Sequence, residues 1–172
     1  MAYINPTPGV ANLEVIVELD LAANATITTG NVTLSSGKLS IPAMTKLTVN
    51  TSNGTFEWAQ LDSRAKHVVA TVSSNSLVTD IILDPTTFFG NTSATGGSMQ
   101  NLGILNAQAN KSKLAFKVRM DSPAADGTGD TISGVGYLTQ LAPSVDANQP
   151  VWQSPVTLVV DGDFTYKASD TL

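Results

Sequence analysis

Alternation with a period of two most restricts the folds open to this chain. From Leu13 to Leu21, the residues Leu13, Val15, Val17, Leu19 and Leu21 alternate with Glu14, Ile16, Glu18 and Asp20. Only a strand with one buried face sorts side chains this way. Leu114, Phe116, Val118 and Met120 repeat the pattern against Ala115, Lys117 and Arg119, giving a second amphipathic strand with a cationic outer face. Shorter apolar runs lie around Val32 and Leu34, Leu39 and Ile41, and Leu47 and Val49, punctuated by Gly30-Asn31, Ser35-Ser36-Gly37, Pro42 and Asn53-Gly54. Such Gly, Pro and Asn clusters break strands and make turns.

Further along, Phe56 and Trp58 share a face, and residues 67–72 and 77–83 read as two strands joined by a turn at Ser73-Ser74-Asn75-Ser76. Asp84-Pro85 stops the second. One segment breaks the rule: Met99, Leu102, Leu105 and Ala109 are spaced three, three and four apart behind Ser98, a good N-cap residue. The spacing predicts one helix over 98–110, with Gly103 inside it costing about 1 kcal/mol relative to Ala. A turn-rich loop over Asp121–Asp130, a Gly-bearing strand over Thr131–Leu141, a loop over Pro143–Pro150 and a last strand over Val151–Val160 complete the pattern. Pro155 interrupts that last strand, which suits an edge or a bulge. Eight to ten strands in runs, with one helix, predict a mainly β fold: an antiparallel β-sandwich or partly closed barrel with the helix packed on its side.

The 172 residues suit a single domain, 1–172, with a full core. Charged residues are 13% of the chain, about half of the roughly 25% usual for soluble domains. The net charge of −5 opposes holding nucleic acid, because affinity for phosphates comes from Lys and Arg. Without cysteine there is no disulfide framework, thiolate metal site or thiol nucleophile. The first nine residues lack the basic and apolar regions of a secretory signal, and no 18-residue apolar run is present, so synthesis in a cytosol and no membrane partner are expected.

Chemical motifs are weak. His67 is the sole histidine and has neither a nucleophile elbow nor a second histidine for a metal. Asp126-Gly-Thr-Gly-Asp130 lacks the ligands of a calcium loop, and Gly134-Val-Gly136 lies in a strand with no helix after it. Six Asn-x-Ser/Thr triplets are what a chain rich in Asn and Thr produces by chance. No catalytic residue, cofactor or metal is expected, and the protein is not expected to be an enzyme. Charge is more uneven than any motif: residues 1–119 hold seven acids and eight bases, whereas 120–172 hold seven acids and only Lys167.

In its C-terminal half the order of elements becomes recognisable: helix, amphipathic strand, loop, the strand Gly134-Val-Gly-Tyr-Leu-Thr-Gln-Leu141, loop, and Val156-Thr-Leu-Val-Val-Asp-Gly-Asp-Phe164. Over residues 98–166 the chain resembles the major tail tube proteins of tailed bacteriophages. That resemblance implies six-membered rings of this chain, stacked into a hollow tube through which the genome leaves the capsid. It implies contacts with other phage tail proteins, DNA that passes the lumen without specific binding, and a place in the virion tail after assembly in the host cytoplasm. It also implies an inner β-barrel shared between subunits with the helix outside, and a long loop within residues 35–66. The alternative is a capsid decoration protein or another virion surface β-domain acting as a binding module.

Two sets of residues carry the site expectations. Lys111, Lys113, Lys117 and Arg119, four bases within nine residues, are candidates for a subunit contact with the acidic part of another copy. Glu14, Glu18, Asp20 and Asp80 are candidates for the lumen, where carboxylates repel phosphate.

Overall fold

The computed structural model describes residues 15–41, 43–61, 65–91, 97–119 and 128–171. Among the described residues eleven strands and two short helices follow one another: β1 (Ile16–Leu21), β2 (Thr26–Thr28), β3 (Asn31–Thr33), β4 (Leu39–Ile41), β5 (Met44–Ala59), β6 (Lys66–Ile82), α1 (Pro85–Phe89), α2 (Met99–Ala109), β7 (Lys113–Arg119), β8 (Thr128–Leu141), β9 (Ser144–Asp146), β10 (Gln149–Val160) and β11 (Thr165–Thr171). Nine of the strands form one antiparallel sheet in the order β4-β1-β7-β8-β10-β6-β5, with β11 added on β8 and β9 on β10; β2 and β3 pair separately. β4 and β5 sit at opposite ends of that order yet are separated by two residues in the chain. The sheet therefore rolls until its two edges approach, without a hydrogen-bonded ladder closing it into a barrel.

Alternation explains the core. Val17, Leu19 and Leu21 of β1 face Val118, Phe116 and Leu114 of β7 in register, and a one-residue slip would turn this set to the wrong side. These side chains join Leu39, Ile41, Leu77, Ile81, Leu138, Val156, Leu158 and Val160 under Phe88 of α1 and Met99, Ile104 and Ala107 of α2. At about 1.5–3 kcal/mol for each large apolar side chain buried, this cluster is the main source of stability in a chain without disulfides.

Three local expectations are corrected. The expected turn at residues 73–76 is strand: β6 runs unbroken for 17 residues and pairs with 16-residue β5, so the expected loop over 35–66 is largely a long hairpin. Asp84-Pro85 ends β6 but starts a helix, because the Asp84 carboxylate accepts from Thr87 N at 3.0 Å and Pro85 occupies the first turn, where no N–H is needed. The 98–110 helix is not continuous. Gly103 has φ 74° and ψ 167°, and a Cβ there would lie 2.3 Å from Gly90 N. The glycine is thus what lets α2 bend against α1, and the bend resets the buried stripe to Met99, Gly103, Ile104 and Ala107.

Pro155 is accommodated where β8 has run out. Its neighbour Val156 pairs with Leu141, the last residue of β8, so the missing N–H of Pro155 leaves no gap in that ladder. Buried Ser154 fills in, accepting from Ala142 N at 3.1 Å.

Candidate assembly interface

The hairpin of β5 and β6 outgrows the sheet. β10 pairs with β6 only from Ser76 to Ile82, so beyond that point β5 and β6 form a two-stranded ribbon. Every described residue from Asn50 to Val72 is exposed. Ten residues, Asn50–Ala59, at about 3.3 Å each make an arm about 30 Å long. Its root is clamped: Asn75 donates to Gly162 O at 3.0 Å and Ser73 to Asp163 Oδ1 at 2.5 Å, tying β6 to the turn between β10 and β11. A bulge between Asn53 and Thr55 follows.

Past the bulge, Phe56 and Trp58 pair with Val69 and His67 on one face. The Phe56 and Trp58 rings stack with centroids 6.0 Å apart, and Trp58 stacks on His67 at 5.3 Å. Val68 and Val72 are also exposed. A free two-stranded ribbon is marginal in water, and exposed apolar groups in a row mark an interaction surface. The outer edge of β5 pairs with no other described strand along its length, and an open edge invites pairing with another chain.

A second apolar feature lies near α1. Leu83, Pro85, Phe88, Phe89, Leu105, Pro143 and Trp152 line a hollow of about 520 Å³, at whose rim Phe89 and Trp152 are more than half exposed.

The four basic residues expected at a contact do not form one patch. Lys111 follows α2 with a positive φ of 53° and is exposed. Lys113 binds Asp161 of its own chain at 2.7 Å; that hydrogen bond, with the attraction of the Asp161 charge, raises the Lys113 pKa above the ordinary lysine value. Lys117 and Arg119 are buried, at 8% and 6% exposure. The cationic face of β7 is therefore not an outer face. β3 lies against β7 and β8 on the side away from the helices, and Asp20 on that side fixes the chain leading out of β3.

The lumen candidates separate likewise. Asp20 is fully buried, and its carboxylate accepts from Leu21 N at 2.8 Å and Ser35 N at 2.7 Å. This is a structural anchor, so Asp20 presents no charge to a surface. Glu18 pairs with Lys38 at 2.9 Å and is mostly covered. Asp80 is half-buried, opposite Lys46 on β5 and Pro155 on β10, on the sheet face that also carries Thr48, Asn50, Ser76 and Thr157. Glu14 lies outside the described residues. Among the described residues no three His, Asp or Glu side chains gather as a metal site, and no helix is long and apolar enough to cross a membrane.

No family model and no curated protein matches the chain in sequence. Solved structures do match in shape. A chain from the tail of an empty gene transfer agent particle, refined with C6 symmetry, superposes with a TM-score of 0.58 at 12% identity, covering 91% of this chain and 96% of that one. The SPP1 tail tube matches at 0.57 and 12% identity over 91% of this chain and 78% of that one. The sheath/tube terminator of the extracellular contractile injection system PVC, in its extended state, matches at 0.56 and 16% identity over 97% of this chain and all of the other. The chain thus shares its fold with components of a gene transfer agent tail, a tail tube and a contractile injection system.

Proposed function

We propose that this chain is the repeating subunit of a phage-type tail tube, six copies to a ring and rings stacked into a conduit. The observation that carries this reading is the uncovered arm. A ribbon of about 30 Å bearing Phe56, Trp58, Val68 and Val72 has no reason to persist in water unless another copy covers it. The fold shared with a C6-symmetric tail supports the same stoichiometry. An arm on one part of the subunit and an apolar hollow at Phe89 and Trp152 on another make a heterologous pair, which generates rings or stacks instead of a closed dimer.

In this reading the open edge of β5 continues into a neighbouring sheet, and a shared barrel leaves no edge exposed. The sheet face with Thr48, Asn50, Ser76, Asp80 and Thr157 then lines the lumen, while α1 and α2 stay outside. Charges on this face pair off: Lys46 lies opposite Asp80, and Lys113 binds Asp161. Such a wall gives DNA no array of cations to hold, so the genome slides past without specific binding. The protein works by shape and not by catalysis, takes its place in the virion tail with other tail proteins, and assembles in the host cytoplasm before DNA is released.

Sedimentation over a wide concentration range, with electron microscopy of the same samples, tests this. Rings and tubes are expected. Monomers or trimers at every concentration, with a tail-initiating partner also present, would refute the tube and favour a decoration protein.

A further inference from the structure

We propose that the small pocket bounded by Ile16, Glu18, Lys117 and Arg119 is an oxyanion site. It offers about 90 Å³. Since about 10–15 Å³ of such space holds one water molecule, there is room for a carboxylate or a phosphate. Arg119 is 94% buried, by its 6% exposure, and its Nε and Nη2 atoms have no hydrogen-bond partner among the described residues. Neighbouring N–H groups on a guanidinium form a fork that takes two oxygens of one carboxylate or phosphate.

Burying such a fork unpartnered is unfavourable. The subunit holds it anyway, next to a second buried cation, Lys117, two residues away on β7. Glu18, the acid of the pocket, is already engaged: Lys38 Nζ donates to it at 2.9 Å and Ser40 Oγ at 3.4 Å. An arriving oxyanion therefore meets the unpartnered fork of Arg119 and a carboxylate whose charge is compensated. That oxyanion is either an exposed carboxylate of a neighbouring copy or free phosphate. The first source rests on the assembly proposed above, and the second does not.

Arg119→Met keeps the length of the side chain and removes its charge and donors, and Arg119→Lys keeps the charge but removes the fork. The melting temperature of unassembled wild-type subunit is followed against sodium phosphate and sodium acetate at constant ionic strength, alongside the concentration each variant needs to assemble. A saturable rise in wild type, abolished in both variants, identifies a free oxyanion. No response to either anion, with both variants needing at least tenfold more protein to assemble, identifies a carboxylate from the neighbour. Arg119→Met should melt no lower than wild type, since it relieves unpartnered donors. A marked fall in its melting temperature, with Arg119→Lys restoring stability, would show that the cation serves the subunit's own interior and overturn the proposal. Variants matching wild type in both anion response and assembly would also overturn it. If wild type itself never assembles, the tube reading fails, and the anion titration still decides the site.

Discussion

Replacing Phe56 and Trp58 together by Ser separates the stability of the subunit from that of the assembly. Phe56 is 60% exposed and Trp58 37% exposed. With side chains of about 200 and 250 Å², about 200 Å² of aromatic surface remains for another copy to cover. At about 25 cal/mol per Å² the upper limit is about 5 kcal/mol for each arm. Losses of motion and imperfect pairing reduce this to about 2–5 kcal/mol, a factor of 30 or more in each contact's equilibrium constant. The subunit loses much less. Both rings lie past the last residue that β10 pairs with, outside the core cluster, and what disappears is ring stacking worth about 0.5–1.5 kcal/mol. The melting temperature of unassembled protein should therefore shift by only a few degrees, since about 1 kcal/mol is about 2–4 °C at this size. Sedimentation velocity should show the onset of assembly moved to at least 30-fold higher concentration. Unchanged assembly with a normally folded subunit would refute the role given to the arm.

Three further outcomes follow from particular residues. Gly103→Ala forces a side chain into a backbone region that only glycine occupies readily and against Gly90 N at 2.3 Å; strain of about 1–3 kcal/mol plus overpacking of similar size should lower thermal stability by about 2–6 kcal/mol, measured by calorimetry. Asp20→Ala strands the part-buried Ser35 N–H and should cost about 1–3 kcal/mol in urea unfolding, whereas an unchanged midpoint would show that the loop after β3 is held otherwise. Asp161→Asn should return the Lys113 pKa toward its ordinary value, seen by NMR titration, and leave stability at neutral pH unchanged within scatter because both side chains are exposed. Since the folded-state pKa is raised, whatever the pair contributes is present below the ordinary lysine pKa and is lost as pH rises through the raised value.

What could be read in the sequence was what burial had written into it. β1, β7 and β8 show themselves because one face of each supplies apolar side chains to the core cluster while the other carries polar ones. The arm did not, because residues 50–72 are exposed on both faces and nothing selects a period there. Ser73-Ser74-Asn75-Ser76 has the composition of a turn, yet its polar side chains clamp the arm to Gly162 and Asp163, a contact 87 or more residues away in sequence. Alternation also placed Asp20, Lys117 and Arg119 on an outward face, which was correct for the strand but not for the molecule. β3 and the loop after it cover that side, and three-residue strands leave almost no periodic signal. α1 was hidden by its length of five residues, although Asp84, Pro85 and Gly90 mark its ends. Phe56 and Trp58 were visible as a pair on one face, but whether they filled the core or an interface depended on exposure.

Whether six copies build a tube through their arms is decided by a cryo-electron microscopy reconstruction of the assembled protein. Stacked six-fold rings are expected, with the β5–β6 arm covered by a neighbouring copy, Phe56 and Trp58 buried, and a lumen lined by the sheet face that carries Thr48, Ser76 and Asp80. Arms left in solvent, a different symmetry, or a channel wall rich in Lys and Arg would contradict it.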